Sequence, residues 1–252
     1  MNKIKEFLIK LSSFWFFYRW HPEVSLRYLP FVDEIKKLGK NTSILEIGSG
    51  GMGIAPYLKR KITGVDIEFD YPIHPLVEMV KASAVQLPFD SSSFDVVLSV
   101  DMLEHLGRDD RRKAIFEMLR VAKKKLLIGT PCGKAAFEQD KELNKYYRKC
   151  FSKNFTFLRE QLNFGLPEKE EIRDTIQKTA RNLKKKISLT IKGNENLTIR
   201  WILMRGWVTK NILVDIFFRK IFLLVIPILR LINNEPTYRK LFFVTLKYEN
   251  SY

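Results

Sequence analysis

The chain has 252 residues, 46% of them hydrophobic and 29% charged, which excludes a disordered or collagen-like polypeptide. A domain of this length buries roughly 70% or more of its unfolded surface and needs no covalent staple. Cys132 and Cys150 make neither a disulfide framework nor a C-x-x-C zinc pair, and a reducing cytoplasm is the expected compartment. The net charge is +16 and uneven: residues 41–110 hold 5 basic and 11 acidic residues, whereas 181–252 hold 14 basic and 4 acidic. Such a field favours an anionic partner, whether nucleic acid, an anionic membrane surface or a phosphorylated substrate.

Residues 2–38 pattern as helices, with a break at His21-Pro22 and a kink at Pro30. Phe7, Leu8, Leu11, Phe14, Trp15 and Tyr18 share one helix face. Lys10 interrupts this apolar run and no small-x-small cleavage site follows, which argues against a signal peptide. The aromatic face either docks on the domain or lies at a membrane headgroup boundary. Strands are predicted over 43–47, 61–66, 79–82, 94–100 and 125–130, with a helix opening at 55 and another over 109–121. Strands alternating with helices indicate a parallel α/β sheet.

Beyond residue 130 helices are predicted over 134–149 and from Pro167 to about 183. A strand follows over 186–192, then a helical insert over about 198–232 and an apolar last strand over 239–248. Within 212–232 the longest charge-free run, 221–229, contains Pro227 and is far shorter than the roughly 20 apolar residues that span a bilayer. Asp215, Arg219 and Arg230 fall on one side of a helical wheel. The spacing predicts an amphipathic helix with a very wide apolar face, buried in the protein or lying on a membrane.

The chemistry begins at Leu45-Glu-Ile-Gly-Ser-Gly-Gly-Met-Gly53. Gly48 and Gly50 let backbone approach a ligand where a Cβ would collide, and the helix behind them offers unpaired N–H groups. Glu46 lies in the strand, two residues before Gly48. A dinucleotide site places a phosphate at such a turn and no acid; an acid suits a cationic or amine-bearing ligand. Asp66 ends the second strand, where an acid hydrogen-bonds ribose hydroxyls.

Glu46-Ile-Gly-Ser-Gly50, Gly64-Val-Asp66, Leu87-Pro-Phe89, Ser93-Phe-Asp-Val-Val97 and Leu103-Glu-His-Leu106 arrive in a fixed order. In that order and spacing, residues 40–131 resemble class I S-adenosylmethionine-dependent methyltransferases. The likeness is to the branch containing the quinone-biosynthesis enzymes and many small-molecule and glycan methyltransferases. Residues 157–167 are more weakly similar to methyltransferases encoded among cell-surface glycan genes. The resemblance implies a Rossmann-like methyltransferase sheet of seven strands, mostly parallel with the last antiparallel. It implies an N-terminal helical cap over 1–40, a methyltransferase domain over 41–252, and covering segments at about 131–165 and 195–235. It implies S-adenosylmethionine as cofactor and no metal.

By that resemblance Glu46, Gly48, Ser49 and Gly50 would hold the methionine part, Asp66 the ribose, Ile67 the adenine face and Leu87 the adenine edge. Ser99 to Asp101 would face the sulfonium and the substrate. Two departures stand out. Ser83, flanked by Ala82 and Ala84, occupies a position where the family often has an Asp for the adenine amino group. The glycine turn is one residue longer than usual, leaving Gly51 or Gly53 as its third glycine.

Methyl transfer from a sulfonium is an in-line displacement in which positioning supplies much of the rate, and a hydroxyl acceptor must also lose its proton. His105 and Asp101 are the catalytic candidates, with His105 able to act as that base. In the alternative, Glu104-His105 only caps and orients the following loop. His21 and His74 show no partner in the sequence and read as structural.

The expected function is O-methylation of a small-molecule, glycan or lipid-linked acceptor at the inner face of the membrane, by a cytoplasmic, peripherally attached protein. An RNA methyltransferase using the basic surface is the competing reading. Against it, the Asn/Asp-Pro-Pro-Tyr signature for exocyclic amines is absent, and Val100-Asp-Met-Leu stands after the fourth strand. A methyltransferase fold without catalysis is the third, suggested by Ser83.

Overall fold

The computed structural model describes residues 21–69 and 71–247. The aromatic face predicted over 7–18 lies outside them. Seven strands form one sheet in the order β3-β2-β1-β4-β5-β7-β6. They are β1 (Ile44–Ile47), β2 (Ile62–Asp66), β3 (Val77–Lys81), β4 (Phe94–Val100), β5 (Ala122–Pro131), β6 (Lys186–Asn196) and β7 (Thr237–Lys247). The pairs β1–β2, β1–β4, β2–β3 and β4–β5 are parallel, and β7 runs antiparallel to both its neighbours. All four residues of β1 are buried, as a central strand covered on both faces requires. The β6 edge instead alternates exposed and half-buried residues over 186–193 before burying Asn194, Glu195 and Asn196, and it carries Lys186 and Lys192, which discourages edge-to-edge pairing.

Helices cover both faces. On one side α1 (Pro22–Lys36) and the single turn α2 (Ala55–Leu58) bury Phe31, Val32, Ile35, Ile54 and Leu58 against the sheet. Phe31 packs on Gly129 of β5, where a Cβ would lie 2.9 Å from its ring. The kink expected at Pro30 does not end α1. Proline removes the N–H that would bond the Leu26 carbonyl one turn back, and Asn194 Nδ2 donates to that carbonyl instead, at 3.2 Å. On the other side α3 (Arg108–Val121) and α6 (Lys169–Asn182) bury Ile115, Met118, Leu119, Ile172 and Ile176 at helical spacing.

The remaining helices gather at the C-terminal ends of the strands. They are α4 (Gly133–Phe151), α5 (Arg159–Phe164) behind a 3₁₀ turn at Thr156–Leu158, and the insert between β6 and β7. The insert comprises α7 (Leu197–Trp207), α8 (Ile212–Lys220), a 3₁₀ stretch Ile221–Val225 and the single turn α9 (Ile226–Leu229). The one amphipathic helix expected over 212–232 is therefore broken. Pro227 opens a new turn at α9, having no N–H to continue the preceding one. Phe218 seats on Gly206, where a Cβ would come within 2.2 Å of its ring, so α7 and α8 pack almost backbone to ring. Among the described residues no helix is long and apolar enough to cross a membrane.

Candidate active site

The sheet reverses its strand order between β1 and β4, and an open α/β sheet binds ligands in the crevice at such a point. A cleft of about 420 Å³ opens there. Of the residues singled out in the sequence, Gly48, Ser49, Gly50, Asp66, Ile67, Ser83, Ala84, Asp101 and His105 line it. Arg27 and Tyr28 of α1, Met102, Leu106 and Glu160 join them.

The turn is held by two carboxylates. Asp66 Oδ2 accepts from the Gly50 N–H at 2.8 Å, and its Oδ1 accepts from the Ile67 N–H at 2.8 Å. Glu46 lies beneath the turn, fully buried, with Oε2 accepting from the Ile54 N–H at 2.7 Å. Its Oε1 is buried without a partner. Burial pushes the Glu46 carboxyl up to about 7, against the Ile54 bond and the neighbouring Tyr28 hydroxyl. Gly48, Gly50 and Gly53 have positive φ, at 75°, 52° and 47°. A Cβ on Gly48 would meet Met102 Cγ at 2.5 Å, and one on Gly53 would meet Glu46 Oε2 at 2.2 Å. Gly53 rather than Gly51 is thus the third required glycine: the extra residue of the turn makes room for the Glu46 carboxylate. Gly51 is buried and its carbonyl accepts from the His74 N–H at 2.7 Å.

Two other expected residues do not line the cleft. The Leu87 side chain packs in the core beside Leu103 and Ile115, while its N–H donates to Glu117 Oε2 at 2.8 Å. Leu106 and Ala82 supply apolar wall instead. Ser99 is buried within β4, its hydroxyl unpartnered. Ser83 lines the cleft, its Oγ accepting from the Val85 N–H at 3.4 Å.

Asp101 is not placed to be a base. It follows β4 with a φ of 49°, and both its oxygens accept from Arg239 Nε, at 2.7 and 2.9 Å. Arg27 Nη1 adds a third bond at 2.7 Å. Burial alone would raise the Asp101 carboxyl, but Arg239 and then Arg27 outweigh it and hold it at about 2. An acid so weakly basic does not take a proton near neutrality. The same Arg239 donates to Glu195 Oε2 at 2.5 Å and to Glu23. One buried guanidinium therefore joins β7, the end of β4, α1 and β6.

His105 ends the 3₁₀ turn Leu103–His105 and is the exposed titratable group of the pair. Its Nδ1 lies 2.7 Å from Glu160 Oε2 on α5, an acid within the 157–167 segment. This carboxylate fixes the ring's orientation and favours the tautomer that carries the proton on Nδ1, leaving Nε2 as the acceptor. Glu104 beside it is buried and bonded by the Thr130 hydroxyl at 3.1 Å. Burial and the Asp101 charge push its carboxyl up to about 8.

A second cavity of about 480 Å³ adjoins the cleft, sharing Arg27, Asp101 and His105 with it. Its other walls come from α1, β7, the 155–161 segment and the insert, through Glu23, Tyr238, Phe157, Met204 and Trp207 among others. His105 is thus one of three residues that line both cavities.

Replacing Arg239 by Met would leave three buried carboxylates without their shared cation. The expected cost is about 3–5 kcal/mol at neutral pH. Asp101 is held low in the wild type, so its stabilisation is present at neutral pH and is lost only in strong acid. In the variant the carboxyls rise, and the deficit should shrink as pH falls toward about 5. Urea unfolding of both proteins at the two pH values measures this; a deficit that does not change with pH would contradict it.

Residues 45–127 match the family described as Methyltransferase domain. No curated protein matches the chain. Its fold is similar to that of solved structures at low identity. One is a chain of the complex between the Haloferax volcanii Trm112 methyltransferase activator and its methyltransferase (TM-score 0.55, 12% identity, covering 91% of this chain and 92% of that one). Another is the cyclase SpnF (0.53, 13%, covering 88% and 80%). A third is phosphoethanolamine N-methyltransferase 2 of Haemonchus contortus in complex with S-adenosyl-L-methionine (0.51, 18%, covering 88% and 53%). SpnF, a cyclase, shows that this fold does not by itself fix the reaction. The matched segment runs from the glycine turn to β5 within the sheet described above, so this part of the chain carries a methyltransferase domain.

Proposed function

We propose that the cleft at the β1–β4 reversal holds S-adenosylmethionine and that the adjoining cavity receives a hydroxyl acceptor. The observation that carries this is that His105, bonded to Glu160, lines both cavities. The residues fit the cofactor. Glu46 offers a buried oxygen without a partner below a glycine cradle, which suits a cationic amine. Asp66 keeps lone pairs for ribose hydroxyls after accepting its backbone bonds. Ile67, Ala84 and Leu106 supply apolar wall for the adenine, and Ser83 a neutral acceptor. Leu87, Ser99 and Gly51 act from behind the cleft by shaping its backbone.

Bound S-adenosylmethionine would supply a methyl group on a sulfonium, and in-line attack on that methyl would release the neutral thioether. His105 holds the acceptor hydroxyl and takes its proton on Nε2 as the methyl is attacked, while Glu160 stabilises the imidazolium that forms. Asp101, fixed between Arg27 and Arg239, holds the backbone between β4 and the His105 turn in place.

The finer reading is O-methylation of a small-molecule, glycan or lipid-linked acceptor at an anionic membrane surface, and the insert supports it. Ile212, Leu213, Phe217, Leu224, Ile228 and Leu231 are exposed along α8, the 3₁₀ stretch and α9, with Lys210, Lys220 and Arg230 among them. Apolar side chains interspersed with cations suit the boundary of an anionic bilayer. Trp207 and Arg219 of the same insert line the second cavity, so a lipid-linked acceptor would reach it from the membrane side.

Three outcomes are expected. Since the Glu46 carboxyl stands at about 7, S-adenosylhomocysteine affinity measured by calorimetry should strengthen as pH rises through that value. Glu46→Gln should be weaker and flat over the same range. Next, His105→Ala should lower methyl transfer by about 100-fold or more while changing S-adenosylhomocysteine affinity far less. The readout is methyl label passed from S-adenosylmethionine to lipid-linked glycan extracts; equal transfer by the variant would remove His105 from the mechanism. Finally, the protein should sediment with phosphatidylglycerol vesicles, less so at high salt, and hardly at all with phosphatidylcholine alone. Leu213→Glu combined with Phe217→Glu should abolish that binding. Undiminished sedimentation of the double variant would place the membrane contact elsewhere.

A further inference from the structure

His21 showed no partner in the sequence and reads there as structural. In the fold it caps α1 and lines the second cavity, with its ring 5.1 Å from the Trp207 ring in an edge-on contact. Both its ring nitrogens are buried and, among the described residues, neither has a hydrogen-bond partner. A structural histidine in a core is normally satisfied, because leaving a polar group unpaired costs about 1–3 kcal/mol. Two such atoms in the wall of a cavity that adjoins the methyl-transfer cleft mark a place where a ligand completes the bonding.

The same cavity holds two further orphans, Arg27 Nε and Arg200 Nε. The chemistry of the missing ligand follows from what is already neutralised. Each guanidinium here has a carboxylate partner. Arg27 and Arg239 share Asp101, Arg239 also holds Glu23 and Glu195, Arg200 holds Asp140, and Arg219 holds Asp215. Among the described residues no uncompensated cation is left to draw a phosphate or carboxylate into the cavity. Burial lowers the His21 imidazole to about 4, so near neutrality it too is uncharged, with one nitrogen donating and the other accepting. The open bonds are therefore two donors on charge-compensated guanidiniums, one imidazole donor and one imidazole acceptor. A purely hydrocarbon ligand would leave them all unmet. Hydroxyls meet both kinds, since each donates once and accepts twice. At the mouth, Phe157 is 70% exposed and gives an apolar face of ring size.

We propose that His21 is an acceptor-binding residue of this methyltransferase and that the cavity takes a neutral ring bearing adjacent hydroxyls, the chemistry of a sugar. The ring's C–H face rests on Phe157, and two hydroxyls satisfy His21 and the Arg27 and Arg200 Nε–H groups. This rests on the cofactor reading above and narrows its acceptor. It assigns His21 to binding, with proton transfer left to His105.

The test uses the full-length protein saturated with S-adenosylhomocysteine, observed through the side-chain N–H signals of its histidines. The probes are methyl α-mannoside, methyl β-glucoside and methyl β-N-acetylglucosaminide, with inorganic phosphate and catechol as contrasts. At least one glycoside should shift the signals that His21→Ala removes, and phosphate and catechol should not. His21→Ala should weaken that glycoside at least tenfold with S-adenosylhomocysteine affinity retained. His21→Gln, which keeps one donor and one acceptor, should recover part of the loss. The inference is overturned if no glycoside moves the His21 signals, if phosphate or catechol does so in their place, or if His21→Ala binds the glycoside as well as wild type. Should the wild type fail to bind S-adenosylhomocysteine at all, the cofactor reading itself falls, a result distinct from the loss of glycoside binding alone.

Discussion

The buried guanidinium of Arg239 is the interaction on which the functional end of this molecule depends. It sits near the start of β7 with three carboxylates around it, contributed by α1, the residue after β4, and β6. These segments are far apart in sequence, Glu23 and Arg239 by 216 positions. A charge out of water demands compensation at close range, so the cluster fixes where those segments can lie relative to one another. The floor shared by the two cavities is built from it. Asp101 pays for that role with its basicity, which is why the acid nearest the end of β4 holds backbone and the proposed proton chemistry falls to His105.

The glycine turn obeys a second constraint, which acts from below. Glu46 is buried in β1 and its carboxylate occupies the space over Gly53. The turn is long because it must pass around a carboxylate, and its glycines are required where the chain crosses Met102 on one side and Glu46 on the other. Asp66 then ties the turn to the end of β2 through the Gly50 N–H. The two acids make one rigid cradle in which half of one carboxylate is left unbonded, an arrangement suited to a cationic cofactor and hostile to a pyrophosphate.

Against this rigid floor the covering segments are of a different character. The insert buries Leu203, Leu223, Ile226 and Leu229 among themselves and with Leu26 of α1, yet leaves a row of large apolar side chains in solvent. α8 buries none of its residues fully. An apolar row of this size beside cations is the feature on which the proposed contact with an anionic bilayer rests.

The sequence by itself determined the sheet and the place of its chemistry. Short apolar strands alternating with amphipathic helices specify a parallel α/β core through local periodicity. The glycines after β1 and the acid after β2 mark the cleft because backbone geometry there is dictated within a few residues. What only the tertiary structure decided are the facts that depend on distant segments meeting. Asp101 is clamped because β7 and α1 arrive beside it. Leu87 turns into the core because α3 offers it a packed surface, and Leu106 faces the cleft in its stead. Gly53 outranks Gly51 because a side chain from β1 fills the space above it. The helix pattern over 212–232 was legible, but not its break into separate turns, which follows from Pro227 and from the close seat of Phe218 on Gly206. His21 looked idle for the same reason: the cavity it faces is assembled from α1, the segment after β4, β7 and the insert, and no local pattern announces a wall whose other sides lie at Asp101 and beyond.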